Sequence, residues 1–596
     1  MNFTELRENG TVAANPSFMI PGSAQGHGTR SHRSHLAHET SAMDPNLLEL
    51  SPWRVAAMAL VPLLYLVAAV AATALGQRPD AGWRVARTSA ALALGAALLG
   101  LGGLLVGGAA LLRGPVLATL GDAGAVHLGL RSDALSGLML VLVSFIGWVI
   151  VVYSQSYLGG ARGQPRYIRG LMLTLAAVSL LVVTNNLAVL AFAWIATSLA
   201  LHVLMTFFEE RPQALIAAHK KFLASRVADL CLLGGVALVG LQLGTLEIDR
   251  AIAAARALPE LPGTLQAAAL LLAASALLKC AQLPVHGWLI QVMEAPTPVS
   301  ALLHAGIVNL GGFLLIRVGG LVADVPAAQA LLVVVGSITA VVAALVMMTR
   351  ISIKVSLAWS TCAQMGFMLM QCGLGLHELA LLHLVAHSLY KAHAFLAAGG
   401  AVEQNRLRQM TPAMPPLSAA TWGAGALVGM AVAAAAALAW GFTPATAPAL
   451  WAMGGILALA LAPLLTGPLL RVGALGALAG LAGASVVALA YFGLHALFSG
   501  WLGVSAVGAA NTSHPALVGW VLACFGLLFV VQGAVRIWPQ GALAHWLYPT
   551  LFAGLYLDEL FTRLTFRLWP ARVPALPGTL AKPASAAARP DVQSQS

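Results

Sequence analysis

Apolar runs of about 20 residues, the length that crosses a bilayer as a helix, alternate with short polar stretches along most of this chain. They predict about fifteen helices, beginning near residues 53, 89, 134, 168, 187, 218, 265, 298, 325, 352, 377, 417, 447, 473 and 514. The expected fold is all-α: a polytopic membrane bundle of about 14–15 transmembrane helices. Residues 1–51 break the pattern. They are polar and rich in Ser, Gly and His, and read as a disordered tail, with Met43 as an alternative start. His27, His32, His35 and His38 fall in this tail, where solvated polar chain is a better reading than a metal site.

Composition sharpens the class. The chain is 59% hydrophobic and 9% charged, against about 25% charged in soluble proteins. The net charge of +11 does not indicate nucleic acid, because most arginines sit in short loops and tails. Arg78, Arg84 and Arg87 follow the first span, and Arg162, Arg166 and Arg169 the third. Arg211, Arg350, Lys354, Arg406, Arg408, Arg471 and Arg536 fall on the same side of alternating spans. The positive-inside rule makes that side cytoplasmic, with the N-terminus outside and the C-terminus inside. Arg30, Arg33, Arg113 and Arg131 lie on the other side. Cys231, Cys280, Cys362, Cys372 and Cys524 lie in apolar runs without metal-ligand spacing, and no nucleotide-binding or haem motif is present. No cofactor is expected in this chain.

Candidate chemistry lies where charge interrupts apolar sequence. Lys279 follows thirteen uncharged residues, Gln266 to Leu278, and is expected inside a span rather than at its end. A charge at the bilayer centre costs at least about 2.5–3.5 kcal/mol, which makes it a functional candidate. Pro284, five residues on, cannot donate to the helix ladder and frees the carbonyl of Cys280. This predicts a broken helix facing protein or a hydrated cavity. His286, Glu294 and His304 follow in the same stretch.

A second group is LLHLVAHSLYKAHAFL, with His383, His387 and Lys391 spaced i, i+4, i+8 on one slowly turning stripe. Imidazoles titrate near physiological pH, so such a stripe suits a proton relay. Metal binding by the histidine pair lacks a third ligand nearby. In AAHKKFLASRVADL, Lys220, Lys221, Arg226 and Asp229 open a span, and Arg226 can pair with Asp229 at i+3. Lys354 heads another span and reads equally as an interfacial anchor or as part of a polar path. These residues alone indicate an ion-translocating membrane protein and nothing narrower.

At these positions the sequence resembles the antiporter-like proteins: the large proton-pumping membrane subunits of respiratory complex I and the Mrp-type cation antiporters. The resemblance runs from about Leu130 to Gly400. It rests on SDALSGLML, YSQSYL, AAHKKFLASRVAD, LGTL, KCAQLPVHGWL, APTPVSALLHAG, IKVSLAWSTCAQMGFM and HLVAHSLYKA. It implies two inverted five-helix repeats, each with a broken helix, here 167–322 and 323–470. Spans at 52–166 would precede them. Spans at 471–540 and a cytoplasmic amphipathic segment with a disordered tail at 541–596 would follow. It also implies that the channel lysine falls on Lys279 and the adjacent-helix histidine on His304. The histidine–lysine stripe falls on His383, His387 and Lys391, and the early lysine of the polar axis on Lys220.

Three departures qualify this. Ile195 stands where the family usually has a glutamate, so the expected Glu–Lys pair is missing. The region AAALAWGFTPATAPAL lacks the lysine that complex I subunits carry in their second broken helix. No long lateral helix is expected after it; LYPTLFAGLYLDELFTRLTFRLWP follows instead. These features look most like the DabB-type membrane subunits of two-component inorganic-carbon accumulation complexes in the inner membrane of autotrophic bacteria. That likeness implies a DabA-type cytoplasmic partner, a zinc protein similar to β-carbonic anhydrases, driven by cation flow through this chain. The zinc and the hydration chemistry would belong to the partner, so this chain is not an enzyme by itself. The rivals are a proton-pumping subunit of an NADH–quinone complex, a sodium/proton antiporter subunit, and a bare scaffold.

Overall fold

A computed structural model describes residues 51–569, apart from 77, 107–115, 121–127, 401–402, 404–405, 407–408, 411–415, 446 and 503–513. The polar N-terminal stretch, Met43 and the end of the chain lie outside the described residues.

The chain is a helical bundle. In order come α1 (Ser51–Leu75), α2 (Pro79–Val106), α3 (Ala134–Tyr157), α4 (Gln164–Val183), α5 (Leu187–Met205), α6 (Pro212–Leu243) and the short α7 (Ile248–Arg256). Then follow α8 (Gly263–Lys279), α9 (Gly287–Gln291), α10 (Thr297–Ala305), α11 (Leu310–Arg317), α12 (Gly319–Val322), α13 (Pro326–Met347), α14 (Ile353–Gly373) and α15 (His377–Leu396). The last are α16 (Ala419–Ala439), α17 (Pro448–Val472), α18 (Ala474–Leu502), α19 (Pro515–Ile537), α20 (Ala542–Phe552) and α21 (Leu557–Leu568). Twelve spans among the described residues are long and apolar enough to cross a membrane, with α10 and α11 counting as one. The shorter α8 and the more polar α14 and α15 complete the expected fifteen.

Local chemistry sets the helix ends. Asp133 caps α3 by accepting from the backbone N–H of Ser136 at 2.7 Å. Asn186 caps α5 through Ala188 N–H at 2.8 Å. Proline opens α6, α13, α17 and α19, where its missing N–H costs nothing. The second span begins ten residues earlier than expected, so Arg84 and Arg87 lie on the first turns of α2 rather than in a loop. Helical propensity carries through those residues because arginine is a good helix former.

The all-α expectation misses one feature. Between α2 and α3, Val116–Leu120 and Leu128–Ser132 pair as an antiparallel hairpin, with Val116 opposite Ser132 and Leu120 opposite Leu128. Leu130 also bridges to Thr184, and Asn186 to Glu247, so short β contacts tie this end of the bundle together.

Two helices are interrupted. α8 stops at Lys279, and Ala281 then takes φ 52°, a left-handed conformation rare outside glycine. The chain resumes as a helix only at Gly287. α10 and α11 are separated by Gly306 and a 3-10 turn, Ile307–Asn309. In the region named for a second broken helix, AAALAWGFTPATAPAL, α16 ends at Ala439, the chain turns at Gly441, and helix resumes at Pro448 as α17. Where α13 crosses α14, Gly336 and Gly366 meet backbone to backbone, and a Cβ on either would strike the other's carbonyl. Nothing larger than glycine fits that crossing.

Candidate functional site

The centre of the bundle buries several ammonium and imidazole groups. Lys279 is 4% exposed although it ends α8, and it lies at the helix break expected beside Pro284. The freed carbonyl of Cys280 is received by the Gln282 side chain, whose Nε2 donates to it at 2.8 Å. The Lys279 ammonium lies over the Trp194 ring, 4.3 Å from its centroid, and points at the Trp194 carbonyl at 3.4 Å.

α5 receives a second lysine. The Nζ of Lys221 donates to the Ser198 carbonyl at 2.6 Å and to its hydroxyl at 2.8 Å. One helix thus holds two cations with a π face, two carbonyls and a hydroxyl, and with Ile195 rather than a carboxylate between them. The acid comes instead from α6. Asp229, 5% exposed, forms an ion pair with Arg226 at 2.6 Å, as the i+3 spacing predicts. Asp229 and Arg226 are the nearby charges whose fields reach Lys279. The Glu–Lys pair of the family is missing, and the Asp229 carboxylate pairs with Arg226 instead.

Across the break, the thiol of Cys280 donates to the Val308 carbonyl at 3.1 Å, which joins α8 to the turn after α10. His304, in the last turn of α10, is fully buried and stacks on Phe395 of α15 at 4.4 Å. Both ring nitrogens of His304 and of His387 are buried without a protein hydrogen-bond partner. Buried imidazoles without protein partners call for water or a proton-sharing neighbour. On α15, His383 and His387 stack with centroids 5.9 Å apart. The Lys391 ammonium donates to the Leu357 carbonyl at 3.0 Å, and its field reaches His304, His383 and His387. The stripe is therefore one electrostatic group, and His304 joins it. No hydrogen bond or ion pair among the described residues links Lys279 to His304.

Lys354 is not a free anchor. Its Nζ donates to Thr297 Oγ1 at 2.9 Å, at the start of the helix that carries His304. Lys220, fully buried, bonds both carboxylate oxygens of Asp558 on α21, at 2.9 and 3.0 Å. His286 packs against Trp359 at 4.8 Å.

Several contributors escaped sequence reasoning. Asn309 donates to Ser388 Oγ at 2.7 Å and ties the 3-10 turn to the histidine stripe. At the hairpin end, Arg317 pairs with Asp133 at 2.7 Å and bonds Ser136 Oγ at 2.6 Å, while Arg131 bridges Asp133 and Asp249. Burial disfavours the charge on Asp133, yet Arg317 and Arg131 outweigh it and hold that carboxyl well below the usual carboxylate range. Trp194 and Ser198 carried no signal because their acceptors are mostly backbone carbonyls. Among the described residues no three His, Cys, Asp or Glu side chains gather as a metal site.

Comparison with known proteins agrees with this geometry. Residues 184–436 match the family described as NADH:quinone oxidoreductase/Mrp antiporter, TM. Residues 120–168 match the complex I chain 5 N-terminus. A protein of Hydrogenovibrio crunogenus named "Probable inorganic carbon transporter subunit DabB" is 43% identical over 74% of this chain and 83% of its own length. The chain belongs to the NADH:quinone oxidoreductase/Mrp antiporter family. Within that family, the DabB2 subunit of Halothiobacillus neapolitanus is 40% identical over 76% of this chain and 84% of its own length. The NADH-quinone oxidoreductase subunit L of Mycobacterium tuberculosis is 32% identical over 80% of this chain and 74% of its own length. Among solved structures, the Mrp complex from Dietzia sp. DQ12-45-1b aligns with a TM-score of 0.50 at 28% identity. That alignment covers 88% of this chain, which spans 56% of the Mrp chain. The chain is thus a multi-pass membrane protein of the antiporter-like type.

Proposed function

We propose that this chain is the cation-translocating membrane subunit of an energy-coupled inorganic-carbon accumulation complex, with protons as the cation. The observation that carries the reading is the set of buried, protonatable side chains without protein partners, His304 and His387, in the field of Lys391 and across a helix break from Lys279. Such groups are expensive in a bundle unless they serve a path. In this reading Lys279 is the carrier at the break, with Asp229 and Arg226 setting its surroundings. His304 passes the proton on, and His383, His387 and Lys391 extend the route. Lys221 and Lys354 are secondary polar positions along it.

The DabB names of two relatives support inorganic carbon as the coupled substrate. We infer a DabA-type cytoplasmic zinc partner that performs the hydration of CO2 to bicarbonate. This chain would then supply no catalytic residue and bind no metal of its own. The arginine-rich loops support placing α20 and α21 on the cytoplasmic side.

The test is Lys279→Ala in a strain that depends on this chain for growth at ambient CO2. Growth and bicarbonate accumulation should both be lost while the protein remains in the membrane at normal levels. A Lys279→Ala strain that still accumulates bicarbonate refutes the assignment. Accumulation that follows a sodium gradient and ignores a proton gradient would assign the same path to sodium.

A further inference from the structure

The helix α21 carries a carboxylate into the bundle from outside the antiporter-like helices. Asp558 sits in its first turn. Its two oxygens accept from the buried Lys220 ammonium at 2.9 and 3.0 Å, and Oδ2 also accepts from Gln291 Nε2 at 3.0 Å. Gly287, the first residue of α9, makes room: a Cβ there would collide with the carboxylate. The charge of Asp558 also reaches His286, beside Gly287. Lys220 is fully buried, whereas the Asp558 side chain is 34% exposed, so the pair spans the boundary between bundle and solvent.

The segment that delivers Asp558 is docked rather than woven in. Arg350 donates to the Leu551 carbonyl at 3.2 Å. At the far end, Trp569 stacks on His219 at 4.1 Å and packs edge-on to Phe222 at 5.3 Å. Between α20 and α21, Gly554, Leu555 and Tyr556 all take left-handed φ, from 56° to 64°. Two of the three pay a steric cost, and this elbow turns α21 back onto the bundle. On the exposed side of α21, Glu559 pairs with Arg563 at 2.6 Å, while Asp558 points inward. A buried lysine cation is costly when it stands without a paired anion. Lys220 is adjacent to Lys221, whose ammonium rests on Ser198 one turn from Trp194 and Lys279.

We propose that Asp558 is a positioning residue of the ion path: docking of α21 supplies the counter-ion that holds Lys220 at the mouth of the route leading to Lys221 and Lys279. This rests on the translocation reading above. The consequence is that movement of α21 changes the path without any change inside the bundle.

The test uses the full-length chain with its co-purifying subunits in lipid vesicles, and reads proton flux with a trapped pH-sensitive dye. Asp558→Asn should lower flux roughly tenfold, the effect of losing one charge-assisted contact, and Asp558→Glu should restore part of it. Lys220→Asp and Asp558→Lys should each lower flux, and the double charge swap should recover it, which a merely structural contact would not produce. Trypsin should cut after Arg563 and Arg567 faster in Asp558→Asn than in the parent. Unchanged flux in Asp558→Asn, in vesicles where Lys279→Ala abolishes flux, overturns this proposal alone. Faster cleavage with unchanged flux overturns it too, by reducing Asp558 to a docking contact. Flux that survives Lys279→Ala overturns the translocation reading instead.

Discussion

Two spans of nearly equal hydropathy have opposite surroundings. Thr297–Arg317 has a mean hydropathy of 1.9 and Pro515–Ile537 one of 2.1 over their best windows, yet 94% of the first window is buried and 11% of the second. Lipid and protein interior are equally apolar, so hydropathy cannot tell a central helix from a peripheral one. The polar residues can. Ser300, His304, Asn309 and Arg317 each find a buried partner or a stacked ring in the first span. The second keeps large side chains such as Leu527 and Val530 more than 60% exposed. A membrane helix that carries polar side chains in mid-span is being held by its neighbours.

Substitutions can break or sharpen this contrast. The largest stability effect is expected in the central span. Arg317→Met leaves the carboxylate of Asp133 short of a buried partner and should cost about 3 kcal/mol, seen as a fall in detergent-solubilised melting temperature. At the neighbouring crossing, Gly366→Val should cost about 1–3 kcal/mol, because the helices must part to admit the side chain. Asn309→Ala removes the bond to Ser388 and should cost about 1 kcal/mol, with proton flux in vesicles reduced severalfold as the 3-10 turn loses its tie to the stripe. In the peripheral span, Leu527→Ala should change stability by less than about 0.5 kcal/mol and leave flux as it was. A large loss from Leu527→Ala would mean that this face is covered in the working assembly, and the contrast would then belong to the isolated chain only.

Much of this was legible in the residues. Apolar run length located the spans, because backbone hydrogen bonds inside a bilayer can be satisfied only by helix. Pro284 and the charge of Lys279 announced the broken helix, and the i, i+4, i+8 spacing announced the stripe of His383, His387 and Lys391. The site was only half readable. Lys279 rests on a tryptophan ring and a main-chain oxygen, which no side-chain motif encodes. Asp558 meets Lys220 across 338 positions of sequence, a distance that spacing arguments cannot bridge. The hairpin of residues 116–132 escaped because a five-residue apolar strand beside long apolar helices has no distinct period. The family's second broken helix was expected from likeness in AAALAWGFTPATAPAL, where Gly441 and Pro444 separate Ala439 from the Pro448 that opens α17.

The crossing of Gly336 with Gly366 constrains how this protein can move. Main chain against main chain leaves no side-chain cushion to slide on, so Pro326–Met347 and Ile353–Gly373 must travel as a single girder. Lys354 rides on that girder and grips Thr297 at the foot of the helix bearing His304. Bending is then left to the helix breaks at Ala281 and Gly306, close in sequence to Lys279 and His304.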